Sequence, residues 1–181
     1  MKYREVIKLK DGRDCVLRSA TAADAAAVLD CFIRTHRETD FLLTYPQEMT
    51  MTEEQEGEYL RTKEDSAGAV EILALVDGRT VGSAGIDAVG TRDKLKHRAD
   101  FGISVIKEFW GLGIGRALLR GCVACAKEAG YAQLELSAVG ENGRALALYE
   151  SEGFVEYGRN PRGFRTHDGR WQELVLMRME L

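Results

Sequence analysis

Ile103-Ser-Val-Ile-Lys-Glu-Phe-Trp-Gly-Leu-Gly-Ile-Gly-Arg-Ala-Leu-Leu119 joins an apolar β-rich segment, three alternate glycines and a helical pattern of apolar residues. Residues 100–106 predict a strand, and the apolar spacing from Ile114 onwards predicts a helix. Glycines at such a junction let a ligand approach the backbone without a Cβ in the way. The free N–H groups of the first helical turn then point at the ligand, and the helix dipole favours an anion. The stretch therefore predicts a site for a phosphate or pyrophosphate group.

The spacing of the glycines separates this loop from two common nucleotide-binding motifs. Because Gly111, Gly113 and Gly115 alternate, neither the Rossmann G-x-G-x-x-G pattern nor the Walker A G-x-x-x-x-G-K-[ST] pattern is matched. The segment 110–115 instead resembles the acyl-CoA pyrophosphate loop of the GNAT N-acetyltransferase superfamily, [QR]-x-x-G-x-[GA]. Trp110 stands where that motif has Arg or Gln, which removes one charged contact but leaves the backbone N–H groups. A glycine-rich helix start without a ligand is the alternative interpretation.

A second stretch, Asn142-x-x-Ala145-x-x-Leu148-Tyr149-Glu150-x-x-Gly153-Phe154, resembles the other GNAT hallmark, N-x-x-A-x-x-L-Y-x-x-x-G-F. Asn142 stands at a helix start, where its side chain can cap the helix or bond a ligand amide. Tyr149 follows two turns later on the same face, and Ala145 between them leaves room for a ligand. A tyrosine hydroxyl beside a thioester sulfur can donate a proton to the departing thiolate. The alternative is a core tyrosine whose hydroxyl is already hydrogen-bonded.

The resemblance implies a single GNAT domain over residues 1–181, with its core at 16–181. The implied fold is α/β of the mixed α+β kind, with a central, mostly antiparallel mixed sheet of about seven strands and about four flanking helices. Two parallel strands would splay apart at the CoA site. The implied reaction is direct attack of a primary amine on acetyl-CoA in a ternary complex. The expected contacts to acetyl-CoA are Ile103, Ser104, Val105, Trp110, Gly111, Leu112, Gly113, Ile114, Gly115, Arg116, Asn142, Ala145 and Tyr149.

The group that removes a proton from the acceptor stays open at this point. An alkyl ammonium group has a pKa of about 10.4, so few acceptor molecules are neutral at physiological pH. Members of the resembled family often carry a Glu on the strand before the glycine loop, and Ala99 occupies the aligned position. Asp100 is predicted to face the other side of that strand, whereas His97 shares the face of Ala99. These two residues, Glu135 on the next strand and a water relay remain the candidates.

Bulk composition restricts the partners of the chain. With 25 Lys and Arg against 29 Asp and Glu, the net charge of −4 argues against general affinity for nucleic acid. No apolar run is long enough for a membrane span, and the first residues lack a signal-peptide core, so the cytoplasm is expected. Cys122 and Cys125 form a C-x-x-C pattern inside the predicted helix and are expected to be buried thiols. The three histidines lack ligand spacing with the cysteines, so no metal is expected.

Two charged segments have both a functional and a solvent-exposed interpretation. The helix predicted from Thr52 carries acidic side chains that can attract an amine or simply cover a solvated face: Glu53, Glu54, Glu56 and Glu58. The basic segment 92–98 can contact the 3′-phosphate of CoA or an acidic acceptor, or can serve only as a soluble loop. The exposed face and the soluble loop are the expected outcomes.

Three other functions are compatible with parts of the sequence. A non-catalytic acyl-CoA sensor would keep the glycine loop, but it would not need Asn142 or Tyr149. A nucleotide-binding α/β module would bind ATP or NAD in place of CoA, and a structural domain would bind neither. The acceptor amine, a small molecule or a protein amino terminus, is not identified by the sequence. The resemblance also implies that a homodimer is common.

Overall fold

A computed structural model of the chain describes all residues 1–181. The eight strands are β1 (Arg4–Lys8), β2 (Asp14–Ser19), β3 (Val70–Val76), β4 (Arg79–Ala88), β5 (Arg98–Val105), β6 (Gln133–Val139), β7 (Val155–Arg165) and β8 (Trp171–Glu180). The four α-helices are α1 (Ala25–Arg37), α2 (Glu53–Asp65), α3 (Ile114–Glu128) and α4 (Gly143–Ser151). The predicted α/β fold with a mixed sheet and four helices is therefore confirmed.

All eight strands form one sheet in the order β1-β2-β3-β4-β5-β6-β8-β7. Every neighbouring pair is antiparallel except β5 and β6, which are parallel. The sequence predicted about seven strands, and the structure forms eight. The strand β7 extends to Arg165, because irregularities between Glu156 and Gly158 and between Asn160 and Phe164 absorb the poorly alternating sequence. Pro161 is accommodated because β7 is an edge strand.

The parallel strands β5 and β6 separate soon after they meet. Their register contains only the pairs Arg98–Gln133, Ala99–Leu134 and Asp100–Glu135. β5 then continues to Val105 and β6 to Val139 with no further pairing between them. The predicted splay at this position is thus confirmed, and it leaves two free strand edges facing each other.

The core lies between the sheet and α3, with a smaller cluster under α1 and α2. The predicted apolar stripe of α3 faces the sheet, and Leu118, Leu119 and Cys122 are fully buried. Cys125 is also buried, which confirms the interpretation of the C-x-x-C pattern as two structural thiols. Burial raises the pKa of the Cys122 thiol well above its usual value. None of the helices has both the length and the apolar character required to span a membrane.

Candidate active site

The glycine loop adopts a backbone that only glycine accommodates without strain. Gly111 has φ of +82° and Gly113, at the N-cap of α3, has φ of +105°. The backbone N–H of Ala117 bonds the Gly113 carbonyl oxygen at 3.1 Å. The three preceding N–H groups, of residues 114–116, have no acceptor within the helix, because they belong to its first turn. The predicted anion site at the start of α3 therefore has the required free donors.

The space in front of these donors is open. A Cβ built on Gly113 would have no atom of another part of the chain within 4 Å, whereas one on Gly115 would lie 3.5 Å from Leu148 Cδ2 and 3.9 Å from Ile103 Cδ1. Gly115 thus faces the gap between β5 and α4, which connects the loop to the splayed strands. The loop is also hydrogen-bonded to the turn between β1 and β2, since the carbonyl oxygen of Leu112 accepts a hydrogen bond from the Lys10 N–H at 3.2 Å.

Trp110 takes a structural role at the position where the motif has a polar side chain. Its indole Nε1 donates to the Val105 carbonyl oxygen at 2.6 Å and so fixes the end of β5. The Arg144 guanidinium lies 5.4 Å from the centre of the Trp110 ring. Its Nη1 atom is also 3.9 Å from the position that a Cβ of Gly111 would occupy. A cation from α4 therefore stands beside the glycine loop, at a contact that the sequence analysis missed.

A cleft of about 450 Å³ opens between the splayed strands and extends toward α1 and α2. It brings together five residues selected from the sequence, namely Asp100, Ile103, Ser104, Asn142 and Tyr149. Val105 ends β5, and Ala145 is half-buried in the first turn of α4. Residues 110–116 lie beyond the cleft lining, at the start of α3. The Arg116 side chain turns to Glu152 and Ser151, at 3.3 and 3.1 Å, so only its backbone is available to the loop.

Tyr149 is a buried side chain that lines the cleft. Its side chain is only 7% exposed and packs edge-to-face on Phe101, with 6.2 Å between ring centres. The residue lines the cleft, and its hydroxyl makes no hydrogen bond to the protein, unlike that of Tyr131, which donates to the Gly68 carbonyl oxygen at 2.8 Å. Burial raises the pKa of Tyr149 to about 12, so the hydroxyl keeps its proton at neutral pH.

Asn142 caps α4 as the sequence predicted. Its Oδ1 accepts a hydrogen bond from the Ala145 N–H at 3.3 Å. The amide Nδ2 of the same side chain has no partner in the protein and stands at the cleft. The cap fixes the side chain while one donor is left for a ligand.

As predicted, Asp100 faces the side of β5 opposite to Ala99, but the cleft lies on the side of Asp100. Ala99 is fully buried in the core on the α3 side, and Asp100 lines the cleft. Asp100 pairs in register with Asp87 of β4, whose carboxylate is bonded by Lys63 of α2, so both aspartates face the α2 side. The pKa of Asp100 is raised, first because the cleft walls desolvate it and then because Glu135 and Asp87 are negative.

The other two candidates for the base do not line the cleft. His97 is exposed in the turn before β5. Glu135 accepts hydrogen bonds from Arg98 and Gln133, and the Arg98 hydrogen bond holds the pKa of Glu135 below its usual range. Among the side-chain candidates, only Asp100 reaches the cleft.

The charged segments considered from the sequence also lie outside the cleft. Glu53, Glu54 and Glu58 are exposed, as expected of a solvated face, whereas Glu56 is only 4% exposed. Residues 92–97 form a mostly exposed turn leading into β5, with Lys96 paired to Asp93 at 2.9 Å, and Arg98 is the first residue of β5. No group of three or more His, Cys, Asp or Glu side chains is arranged to hold a metal ion.

Comparison with known proteins connects this site to an enzyme family. Residues 32–154 match the acetyltransferase (GNAT) family. The chain is 33% identical over 114 residues to the Escherichia coli L-amino acid N-acetyltransferase AaaT, covering 62% of this chain and 69% of that enzyme. It is 36% identical over 76 residues to the E. coli [ribosomal protein bS18]-alanine N-acetyltransferase, covering 42% and 51%. A GNAT-family acetyltransferase structure from Streptococcus pneumoniae superposes with a TM-score of 0.89 at 28% identity, covering 92% of this chain and 99% of that one.

Proposed function

The chain belongs to the acetyltransferase (GNAT) family, and we propose that its cleft is the site of direct acetyl transfer from acetyl-CoA to a primary amine. Acetyl transfer to an amine is the activity that family membership gives the chain. The proposal adds which residues carry it out. The observation that supports it most is Tyr149, a buried side chain at the cleft whose hydroxyl is protonated and makes no hydrogen bond to the protein. The homodimer and the cytoplasmic location stay predictions.

The residues present fit the two ends of acetyl-CoA. The N–H groups of residues 114–116 and the open space at Gly113 suit a pyrophosphate. The free edge of β5 beyond Asp100, at Ile103 and Ser104, suits the amide groups of an extended pantetheine arm. The Nδ2 of Asn142 is a further donor for one of those amides. When bound, acetyl-CoA supplies an acetyl thioester and a thiolate leaving group.

Two side chains would move the protons of the reaction. Asp100 accepts a proton from the acceptor ammonium, directly or through water, so that the amine can attack as a neutral nucleophile. Tyr149 donates its hydroxyl proton to the departing thiolate. The two residues approach the gap between β5 and β6 from different sides, since Asp100 faces α2 and Tyr149 packs on Phe101. An acceptor on the α2 side would thus meet the thioester within the gap.

Release of free CoA thiol from acetyl-CoA, measured with a mixture of primary amines, tests the proposed reaction. We expect CoA release that depends on the amine and an acetylated amine in equal amount. A non-catalytic sensor on the same fold would bind acetyl-CoA and release no thiol. Stabilisation by ATP or NAD, with none by CoA, would favour a nucleotide-binding module instead.

Asp100→Asn is expected to lower kcat/KM about tenfold at neutral pH, less than the full effect of a general base because solvent can also take the proton. The ascending limb of the pH profile that belongs to Asp100 should disappear. The direction of this pH dependence follows from the role of the residue. The carboxylate acts as a base only when it is ionised, so wild-type activity falls as the pH drops through the raised pKa of Asp100. Initial rates of thiol release across the acidic and neutral range provide the measurement.

Asp93→Asn is a matched control, because Asp93 lies on the exposed turn and its side chain is 93% exposed. It should leave the pH profile unchanged. If Asp100→Asn keeps both the rate and the acidic limb of the wild type, the proton passes to water alone and Asp100 is not the base.

Arg144→Ala is expected to raise the KM for acetyl-CoA about tenfold while kcat changes little, because a charge-assisted contact to the pyrophosphate is lost. Arg144 is exposed and has no carboxylate within ion-pair distance, so its removal leaves no buried group unpaired. Arg162→Ala is the control, since Arg162 also lies over a tryptophan ring, that of Trp171, and is not among the residues at the glycine loop. An unchanged KM for acetyl-CoA in Arg144→Ala would show that the guanidinium only packs on Trp110.

A further inference from the structure

The floor of the cleft on the α2 side is acidic. Four charged side chains line the cleft, and three of them are carboxylates, from Glu71, Asp87 and Asp100. They lie on the adjacent strands β3, β4 and β5, and Asp87 stands directly opposite Asp100 in the antiparallel register. Side chains paired in this way have Cβ atoms about 5 Å apart, and two like charges at that distance destabilise the sheet. Such a pair therefore suits a cationic ligand.

Lys63 is the fourth charged side chain, and its ammonium group is already paired with carboxylates of the protein. It is 5% exposed, with Nζ at 2.7 Å from Asp87 Oδ2 and 3.4 Å from Glu71 Oε2. Burial opposes its charge, but Glu71 and Asp87 raise the pKa of Lys63 overall, so it stays protonated. One ammonium group is thus shared between two carboxylates. Asp100 has no cationic partner. When all three carboxylates are ionised, the cleft carries an excess of two negative charges.

The cleft has no free cation that could hold a carboxylate. No arginine lines it, and burial lowers the pKa of His36, which is stacked on Phe32. The arginines of the neighbouring hairpin are directed elsewhere. Arg165 lies over the Trp171 ring at 5.2 Å, and Arg159 bonds Glu156 and Glu173, each at 2.7 Å. A carboxylate next to the reacting nitrogen would therefore meet only negative charge.

We propose that the acceptor is a small amine that carries a second positive charge and has no carboxylate beside the reacting nitrogen. The inference rests on the proposed function, because Tyr149, 7% exposed with an unpartnered hydroxyl at the same cleft, fixes where the reaction occurs. The reacting nitrogen must be neutral when it attacks, so it gains little from the acidic floor at that moment. The second cation is attracted throughout by the excess negative charge of the floor, to which Asp87 contributes.

Three amines separate the two features of the proposed acceptor. Agmatine has one primary amine and a guanidinium, L-arginine adds only a carboxylate beside the amine, and n-butylamine lacks the guanidinium. We expect kcat/KM for agmatine to exceed that for each of the others by at least about tenfold, the size of one charge-assisted contact. The comparison with L-arginine is stringent. Its α-amino group has a lower pKa than the primary amine of agmatine and is more often neutral, which by itself would favour L-arginine as the nucleophile. Rates of CoA thiol release and product mass give the readout.

Asp87→Asn is expected to reduce the preference for agmatine over n-butylamine to less than about threefold, since the neutral amide loses the charge-assisted contact. Lys63 keeps Glu71 as a partner, and the melting temperature checks that the fold is retained. Asp93→Asn makes the same chemical change outside the cleft and should keep the wild-type preference. A preference that survives in Asp87→Asn overturns the role of the acidic floor.

Failure of this inference differs from failure of the proposed function. If acetyl-CoA binds and L-arginine, n-butylamine or a peptide with a free amino terminus is acetylated as fast as agmatine, the acceptor class is wrong and the reaction stands. Binding of acetyl-CoA without acetylation of any of the four also counts against the acceptor class. Absence of acetyl-CoA binding by calorimetry overturns the proposed function itself.

Discussion

Gly113→Trp is expected to weaken acetyl-CoA binding by at least about 100-fold, because it places an indole where several backbone N–H groups would each donate a charge-assisted hydrogen bond to the pyrophosphate. No protein atom lies within 4 Å of a Cβ at Gly113, so the new side chain projects into open space. The loss of affinity should therefore arise because the indole occupies the space of the pyrophosphate, and not because it clashes within the core. Isothermal titration calorimetry with acetyl-CoA measures the effect.

The strain of the substitution needs its own control. Gly113 has φ of +105°, and a non-glycine residue in the left-handed region costs about 1–2 kcal/mol. Gly78, in the β3–β4 turn, has φ of +77° and also no protein atom near its Cβ position. Gly78→Trp should thus lower stability to a similar extent and leave acetyl-CoA affinity unchanged. If Gly113→Trp binds acetyl-CoA as tightly as Gly78→Trp does, the start of α3 is not the pyrophosphate site.

The parts of the site that were predictable from the sequence are local in the chain. The glycine loop combines a strand end, two positive-φ glycines and a helix start within a short segment, and each has its own residue signature. Asn142 and Tyr149 lie on one short helix, so their spacing alone places them on a shared face. Both features could be predicted because their residues are close together in the chain as well as in space.

The side of β5 that borders the cleft was not predictable in the same way. Side chains alternate along a strand, so an alignment error of one residue exchanges the two faces completely. The sequence assigned the cleft to the face of Ala99, whereas the register with Asp87 assigns it to Asp100. The apolar character of Ala99 was the available signal, since an alanine suits the buried face of the strand and an aspartate the open one.

Contacts between distant segments were also missed. Arg144 reaches the glycine loop from α4, and Lys63 joins Glu71 and Asp87 from α2. No pattern along the chain relates these residues, because packing of the helices on the sheet brings them together. The acidic floor depends on β3, β4 and β5 being neighbours and so requires the sheet order.

Tyr149→Phe is expected to lower kcat by at least about 100-fold, the usual contribution of a positioned general acid, with little change in the KM for acetyl-CoA. The substitution removes only the hydroxyl, and the ring keeps its contacts with Phe101 and Phe154. Since that hydroxyl has no partner in the protein, its loss breaks no internal hydrogen bond. The melting temperature should therefore stay the same or rise. A fall in activity with undiminished stability is the expected signature of a group reserved for the ligand.

Tyr157→Phe makes the same change on β7, where the side chain is 50% exposed, and should leave kcat unchanged. The pH profile adds a second criterion, because the pKa of Tyr149 is raised to about 12 and the wild-type kcat should show no alkaline fall below about pH 10. An enzyme whose proton donor had an ordinary tyrosine pKa would begin to lose activity below that pH. If Tyr149→Phe retains more than about one third of the wild-type kcat, the thiolate takes its proton from water and Tyr149 serves only to pack the gap between the strands.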